Sequence, residues 1–227
     1  MKLSVVIPAL NEESNLALLV PHLQAMAGVD EVVVCDGGSS DQTMLAAREY
    51  GAIVVRARRN RGAQLNAGAQ AASGEVLWFL HADAWPQPDS ARLVVQSVSR
   101  KEVCGGNFRL RFDDARLAAR ACEAIARCQR LFGIYYGDSG VFVRRHVYDA
   151  LRGYREWPLF EDYDFVQRLE RWARRNRQRT VCAALPLKVS ARRLQHGAIR
   201  TVLLWATLQA LFSLKVSPYW LARLYRR

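Results

Sequence analysis

Four short apolar segments alternate with three segments of helical pattern in the first third of the chain. The apolar segments cover residues 3–9, 31–35, 52–56 and 75–80, and the helical segments cover residues 13–26, 42–50 and 61–72. Nearly continuous apolar strands are typical of a parallel sheet that helices bury on both faces. We therefore expect an α/β fold with a mostly parallel central sheet, and a ligand crevice beyond the carboxyl ends of its strands.

The pattern changes after Pro86 and Pro88. Helices are predicted at residues 89–99, 115–131 and 161–174, and strands at residues 105–112, 140–143 and 180–189, the last interrupted by Pro186. The chain of 227 residues contains no internal repeat and no low-complexity linker, and this length suits one domain. We expect a single domain whose parts are residues 1–86, 87–196 and 197–227.

The carboxyl-terminal part contains an apolar segment, residues 201–214, that is shorter than the roughly 20 residues a membrane-spanning helix needs. Such a helix packs on the domain core, lies on an anionic membrane, or pairs with a second subunit through residues 201–225. The sequence leaves these three alternatives open.

Basic residues exceed acidic ones, 33 to 21, and give a net charge of +12. Only four of the basic residues are lysines, and arginine suits bidentate recognition of phosphate and carboxylate. The excess therefore indicates either anionic partners or simply a well-solvated surface. The five cysteines form no C-x-x-C pair, and the first apolar segment is too short for a signal peptide, so we expect a cytoplasmic protein with reduced thiols.

Candidate binding residues follow the first two predicted strands. Pro8 and Ala9 end the first, and Glu12 comes after it and either caps the next helix or contacts a nucleoside together with the backbone around Ala9. Asp36 follows the second strand and precedes two glycines, so that it either closes a tight turn or accepts hydrogen bonds from a base or ribose. The G-x-G-x-x-G loop of a dinucleotide site is absent after the first strand.

An anion site is predicted at the start of the third helix. Arginines precede this helix, and its first amides point at any anion bound there, which suits a diphosphate. The candidate residues in this segment are Arg61, Gly62, Gln64 and Asn66.

A metal site is predicted where the fourth apolar segment ends on His81, Ala82 and Asp83. Residues two apart in an extended chain share a side, so the imidazole and the carboxylate are expected to face one cavity. A divalent ion at Asp83 would neutralise charge on a diphosphate leaving group, and Mn²⁺ accepts imidazole more readily than Mg²⁺ does. His81 alternatively serves as an ordinary hydrogen-bonding residue.

Clustered carboxylates open the helix predicted at residues 161–174. The helix dipole stabilises acidic residues there, which is a sufficient structural explanation. The neighbouring aromatic residues also suggest the wall of a site, in which Asp162 or Glu161 takes a proton from an acceptor hydroxyl.

Taken in order, these motifs resemble the family-two glycosyltransferases of GT-A fold. The similarity covers most of the chain, through PALNEE after the first strand, DGGSSD at residues 36–41, His81-Ala82-Asp83 and Glu161-Asp162. It extends to the bacterial arsenosugar-biosynthesis-type subgroup through the segments at residues 61–69, 79–83, 158–162 and 190–193.

The resemblance implies an inverting transfer of a sugar from a nucleotide-diphosphate donor, with Asp162 as catalytic base and Glu161 as a substitute. It implies that Asp36 contacts the nucleoside, that Asp83 with His81 holds Mn²⁺ or Mg²⁺, and that Arg192 and Arg193 meet the diphosphate. The first half, residues 1–86, would then bind the nucleotide, and residues 87–196 the acceptor, a small molecule or a lipid-linked one.

Two departures from the family pattern matter. His81 stands at the first position of the usual D-x-D, which leaves fewer hard oxygen ligands for a metal. The Q-x-x-R-W motif of processive relatives is not matched at residues 190–194, which argues against a polysaccharide synthase. The alternatives are a sugar-phosphate nucleotidyltransferase, whose glycine-rich first loop is missing here, and a basic module that binds a membrane or nucleic acid. No recognised nucleic-acid motif is visible, so nucleic acid is not expected as a partner.

Overall fold

The computed structural model describes residues 1–191 and 198–225. Eight strands form one sheet in the order β3-β2-β1-β4-β7-β6-β8-β5. Their bounds are β1 Leu3–Ala9, β2 Glu31–Asp36, β3 Ile53–Arg56, β4 Val76–Phe79, β5 Ala84–Trp85, β6 Val103–Phe112, β7 Phe142–Arg144 and β8 Arg179–Val189. The expected α/β fold is confirmed.

Four of the strand pairings are parallel and three are antiparallel. The parallel pairs are β1 with β2, β1 with β4, β2 with β3 and β6 with β8. Strand β7 runs antiparallel between β4 and β6, and β5 pairs antiparallel with β8. The sheet is therefore mixed but mostly parallel. The ends of β1, β2 and β4 meet at one edge, where open α/β sheets bind ligands.

Helices flank the sheet, and the sequence pattern missed two short ones. The helices are α1 Glu13–Gln24, α2 Thr43–Glu49, α3 Arg61–Ala71, α4 Ser90–Ser99, α5 Leu117–Leu131, α6 Arg145–Ala150, α7 Glu161–Arg175, α8 Ala198–Ser213 and α9 Pro218–Tyr225. The missed helices are α6 and α9, and the two-residue strand β5 was missed as well. Helix α6 and strand β5, with six and two residues, are too short to show a period in the sequence. Helix α9 follows the apolar segment at residues 201–214 and was not separated from it.

Alternate residues of β1 build two cores, one on each face of the sheet. Val5 and Ile7 pack with α1 and α4 in one cluster, whereas Val6 packs with α3 and α7 in the other. All three side chains are fully buried. This alternation follows from the period of two in a strand and explains why β1 has no polar face.

Pro186 lies inside β8 and not at a break between two strands. The pairing of β8 with β6 shifts there, because Phe108 pairs with Ala183 while the next residue, Arg109, pairs with Pro186. Ala184 and Leu185 are left without a partner in β6 at this irregularity, and the pairing resumes at Pro186. The predicted interruption is thus a shift in register, and the strand continues to Val189 beside the ligand edge.

None of the helices in the described parts of the chain is both long and apolar enough to cross a membrane.

Candidate active site

A cleft of about 350 Å³ opens at the carboxyl ends of β1 and β4. The described residues that line it come from both halves of the chain and from α8: Pro8, Glu12, Arg61, His81, Ala82, Asp83, Phe112, Asp138, Val189, Ser190 and Trp205. Six of the residues predicted to bind a donor or a metal are among them. The folded chain therefore brings the ends of β1 and β4 and the start of α3 to one place, as expected for a sheet of this kind.

The loops after β1 and β2 are joined by hydrogen bonds. The side chain of Asn11 accepts a bond from Ser40 N at 2.9 Å, and Glu12 N donates to Thr43 Oγ1 at 2.8 Å. The carboxylate of Glu12 accepts a bond from Asn15 and forms no side-chain cap on α1. Glu12 thus lines the cleft, and its carboxylate is bound by Asn15 in the first turn of α1.

Asp36 is almost fully buried in the turn that it opens. Its Oδ2 accepts hydrogen bonds from Gly38 N at 2.9 Å and Ser39 N at 3.2 Å. The residue pairs with Ala9 at the end of the sheet, and neither is among the described residues that line the cleft. In the structure Asp36 closes a tight turn, which was one of its two predicted roles. The other role, a contact with a nucleoside, stays a prediction.

Gln64 and Asn66 lie on α3, where protein groups occupy their amides. Gln64 Nε2 donates to Ala9 O and to Cys35 O, at 2.8 Å each, which ties the ends of β1 and β2 together. Asn66 donates to Tyr154 O at 2.9 Å and accepts from Tyr154 N at 2.8 Å. Neither lines the cleft among its described residues. In the structure the side chain of Gln64 therefore connects α3 to β1 and β2, and that of Asn66 connects α3 to the segment at Tyr154.

The amino terminus of α3 is capped by a residue that sequence reasoning did not select. Asn60 Oδ1 accepts a hydrogen bond from Ala63 N at 2.9 Å, so one of the amides expected to bind an anion is already used. Gly62 is needed for packing, because a Cβ atom there would lie 2.4 Å from Arg155 O. The guanidinium of Arg61 remains the part of this segment that reaches the cleft.

His81 and Asp83 both line the cleft. The backbone between them forms a turn and not an extended segment. Strand β4 ends at Phe79, and Ala84 N donates to His81 O at 3.1 Å, which closes a turn over residues 81–84. The expectation of an extended segment was therefore wrong here. The predicted convergence of the two side chains on one cavity is nevertheless what the structure has.

Asp162 lies against the wall of the cleft, at the first turn of α7. Its Oδ2 accepts a hydrogen bond from Gly137 N at 2.8 Å, and Gly137 precedes Asp138, which lines the cleft. A Cβ atom on Gly137 would lie 3.2 Å from Asp162 Oδ2 and 3.2 Å from His81 Nε2. One glycine thus separates the carboxylate predicted to be the base from the predicted metal turn.

The carboxyl of Glu161, next to Asp162 in α7, has a raised pKa. Burial, assisted by the charge of Asp162, raises the pKa of Glu161 from its usual 4.5 to about 7. The Arg61 guanidinium, 3.6 Å from Glu161 Oε1, opposes the shift and is outweighed, since the carboxyl is 5% exposed. This carboxyl therefore keeps its proton to a higher pH than an ordinary glutamate does.

Asp138 and Trp205 line the cleft and were not predicted as site residues. Asp138 lies in the short 3₁₀ helix Gly137–Ser139, and Gly140 follows with a φ of 65°. The Gly-Asp-Ser-Gly sequence is itself a turn signal before the strand at residue 142, and it marks the loop that enters the site. Trp205 belongs to the apolar helix α8, where nothing in the sequence distinguishes it from its neighbours.

The cleft contains the donor types that a hard divalent cation prefers, though not a complete set. Carboxylates of Glu12, Asp83 and Asp138 line it together with the imidazole of His81. Within residues 1–191 and 198–225, however, no three His, Cys, Asp or Glu side chains are grouped closely enough to hold a metal by themselves. Such a site fits Mn²⁺ or Mg²⁺ only if substrate phosphate oxygens and water complete the coordination, as is usual for Mg²⁺.

The sequence signature of glycosyl transferase family 2 matches residues 4–158, which include β1, the turn at Asp36 and the metal turn. The chain belongs to glycosyl transferase family 2. The match confirms the predicted membership of family two, and it supports neither the alternative of a nucleotidyltransferase nor that of a basic binding module.

A curated family-two relative from Enterobacter sp. is an undecaprenyl-phosphate 4-deoxy-4-formamido-L-arabinose transferase. It is 35% identical over 167 residues, which is 66% of this chain and 51% of the relative. A glucosyl-3-phosphoglycerate synthase from Mycolicibacterium smegmatis is 44% identical over 78 residues, which is 33% of this chain and 24% of the relative. The chain spans about half the length of the first of these two. These similarities support family two and do not single out the arsenosugar subgroup.

Solved structures of other sugar-transferring enzymes share the fold. Glucosyl-3-phosphoglycerate synthase from Mycobacterium tuberculosis, in complex with Mn²⁺, uridine-diphosphate-glucose and phosphoglyceric acid, is 26% identical with a TM-score of 0.52, over 64% of this chain and 57% of its own. A mannosyltransferase from Pyrobaculum calidifontis, in complex with GDP-Man and Mn²⁺, is 18% identical with a TM-score of 0.65, over 82% of this chain and 56% of its own. The GT-A fold is confirmed.

Proposed function

We propose that this family-two protein is an inverting glycosyltransferase that moves a sugar from a nucleotide-diphosphate donor to an acceptor hydroxyl. One observation carries the proposal: Arg61, His81 and Asp83 share a cleft whose wall, at Gly137, binds the carboxylate of Asp162. A cation for the diphosphate, a ligand for a metal and a proton acceptor are the groups that such a transfer needs at one place.

In the proposed reaction Asp162 takes the proton of the acceptor hydroxyl. The acceptor oxygen then forms its bond to the anomeric carbon as the bond from that carbon to the diphosphate oxygen breaks, so configuration inverts and a nucleoside diphosphate leaves. Gly137 N–H holds Asp162 Oδ2 at 2.8 Å, which orients the carboxylate before the acceptor arrives. Asp162 is half-buried, so an acceptor can reach it.

Arg61 is proposed to bind the diphosphate. Among the described residues that line the cleft, it is the only arginine or lysine, and it is 40% exposed. Its ion pair with Glu161, at 3.6 Å, limits the positions that the guanidinium can take at the cleft. Arg192 and Arg193, predicted to meet the same diphosphate, lie outside the described residues, and their role stays a proposal from the sequence.

The nucleoside is proposed to lie over the ends of β1 and β2. Pro8 and Glu12 line the cleft there, and Asp36 shapes the turn beside Ala9. Gly62, Gln64 and Asn66 would then act on the donor through the position of α3 and its neighbours. Their contacts, described above, are with protein groups.

A divalent metal is proposed to bind at Asp83, with His81 beside it. The metal would supply charge neutralisation at the diphosphate. The solved relatives contain Mn²⁺ or Mg²⁺ with their nucleotides. The turn at residues 81–84 brings both residues to the cleft, and Asp138 adds a further carboxylate to its lining.

The acceptor is proposed to be a phosphorylated small molecule or a lipid-linked one. One group of relatives is named for undecaprenyl phosphate, and a solved relative was obtained with phosphoglyceric acid. The motif resemblance to the arsenosugar-biosynthesis-type subgroup adds a third proposal, which rests on the sequence alone. We further propose that the chain acts as a single domain in the cytoplasm.

A panel of nucleotide sugars, each with and without Mn²⁺, tests the proposal by thermal unfolding. A true donor should raise the midpoint because it binds only the folded state. Incubating that donor with candidate acceptors should then release a nucleoside diphosphate. If no nucleotide sugar shifts the midpoint and none is consumed with any acceptor class, the protein is not a transferase of this kind.

A further inference from the structure

Helix α5 turns its apolar side away from the rest of the molecule. The exposed residues of α5 are all apolar except Arg127. We call the apolar ones, together with Phe132 just past the end of the helix, the outer stripe: Leu117, Ala121, Ala124, Ile125, Cys128, Leu131 and Phe132. Their spacing of three and four residues places them on a single face. Leu117, Leu131 and Phe132 are 86%, 83% and 78% exposed.

The side of α5 that faces the protein combines small side chains with a buried carboxylate. The buried residues of this helix are Ala119 and Glu123, and Glu123 accepts hydrogen bonds from Phe112 N at 3.0 Å and from Arg120. A surface helix of a globular protein normally buries its apolar stripe instead. An exposed apolar face of this size on an ordered helix indicates a binding surface.

The charges around the outer stripe match an anionic surface. Arg127 is exposed beside it, and Arg116 and Arg120 flank it in ion pairs with Asp114 and the buried Glu123. The exposed acid Asp113 accepts a hydrogen bond from Ala191 N at 2.7 Å. No Asp or Glu follows Glu170 in the sequence, whereas residues 171–227 contain 13 lysines and arginines. The net charge of +12 is therefore concentrated in the last quarter of the chain.

The outer stripe is close to the active site. On its inner side α5 packs through Ala119 and Cys122 against Trp205 of α8, and Trp205 lines the cleft. Helix α8 also leaves Leu203 and Leu204 exposed, 62% and 37%. A surface bound to the outer stripe would thus lie one helix away from the site.

We propose that the outer stripe of α5 docks the protein on an anionic lipid bilayer. The helix of 15 residues is too short to span a membrane, but an apolar stripe flanked by arginines suits a helix that lies in the interface. A second copy of this chain fits less well, because a symmetric contact through α5 would bring the same flanking arginines together. This proposal goes beyond the transferase chemistry and does not depend on it.

Co-sedimentation with vesicles tests the docking surface without any turnover. The full chain should bind vesicles of phosphatidylglycerol and phosphatidylcholine and should bind pure phosphatidylcholine much more weakly, with binding that falls as salt rises. The double variant Ile125→Asp/Leu131→Asp should lose affinity for the anionic vesicles by at least about tenfold, because burying one such side chain alone contributes that much.

A matched control uses exposed leucines elsewhere. Leu18 and Leu45 are 66% and 51% exposed on α1 and α2, and Leu18→Asp/Leu45→Asp should bind vesicles as the unchanged chain does. Arg127→Gln should weaken binding to anionic vesicles about fivefold and leave binding to neutral ones unchanged. Thermal unfolding confirms that each variant is folded.

Three results would overturn the proposal. One is the absence of vesicle binding by the full chain, and another is equal loss in the stripe variant and the Leu18→Asp/Leu45→Asp control. The third is a dimer, detected by light scattering, that the stripe variant dissociates while vesicle binding is absent, since this assigns the outer stripe to a second copy.

Discussion

Asp162 and His81 meet across Gly137: a Cβ atom on this glycine would lie 3.2 Å from the Oδ2 of the one and 3.2 Å from the Nε2 of the other. The two side chains come from α7 and from the turn after β4, which are distant in sequence. The glycine therefore fixes the distance between the proposed base and the proposed metal site.

Gly137→Ala should lower kcat by about tenfold or more, because the added methyl group must displace Asp162 or His81 by a few tenths of an ångström. Donor binding and the unfolding midpoint should change little. Steady-state kinetics with calorimetric donor titration measures this. A variant with unchanged kcat would show that the spacing set by Gly137 is not critical.

Asp162→Asn should reduce turnover by about 10²–10⁴-fold and leave donor affinity nearly unchanged, because the amide keeps the shape of the carboxylate but cannot accept a proton. The exposed acid Asp149 provides the control, and Asp149→Asn should retain full activity. If Asp162→Asn stays active while Glu161→Gln is inactive, Glu161 is the base.

Asp83→Asn should abolish the extra stabilisation that Mn²⁺ gives to the complex with the donor. The reason is that an amide oxygen is a weaker ligand than a carboxylate for a hard cation. The measurement is the donor-induced shift in unfolding temperature with Mn²⁺ and after chelation. The matched substitution Asp89→Asn changes an acid that is 74% exposed and pairs with Arg92, and it should leave the metal effect intact. Equal metal effects in both variants would place the metal elsewhere.

Glu161→Gln should remove a pH dependence of stability between about pH 4.5 and pH 7. Burial raises the pKa of Glu161 to about 7 in the folded protein, so the folded state binds more protons in this window than the unfolded state does. Stability contributed by the neutral carboxyl is complete below pH 4.5 and is lost as the pH rises through 7. Urea unfolding should therefore show that the free energy of unfolding of the variant, relative to that of the unchanged protein, is higher at pH 8 than at pH 5. A difference independent of pH would contradict the raised pKa.

Gln64→Leu should lower the free energy of unfolding by about 1–3 kcal/mol, because the carbonyls of Ala9 and Cys35 lose their shared donor. Arg61→Gln removes a side chain that reaches the cleft and should instead weaken donor binding with little loss of stability. Urea unfolding and calorimetry on both variants separate these roles. Weaker donor binding by Gln64→Leu at unchanged stability would restore the prediction that Gln64 contacts the donor.

The folded chain places some of the candidate residues at the cleft and others away from it. Pro8, His81 and Asp83 were placed at the cleft because a parallel sheet brings the ends of its strands to one edge. Gln64 and Asn66 were predicted to bind the donor because they follow an arginine segment, yet both face protein groups. The direction of a helical side chain depends on how the helix is rotated against the sheet, and polar residues on either side look alike in sequence.

By itself, the sequence predicted the alternation of strands and helices in the first third of the chain, the burial of β1, β2 and β4, and the edge of the sheet at which the candidate site lies. These follow from apolar periodicity and chain connectivity, which are local properties. Tertiary structure alone decided that Gly137 joins Asp162 to His81, that Trp205 closes the cleft and that burial moves the pKa of Glu161. These three depend on contacts between distant segments, and no local pattern encodes the distance between such segments.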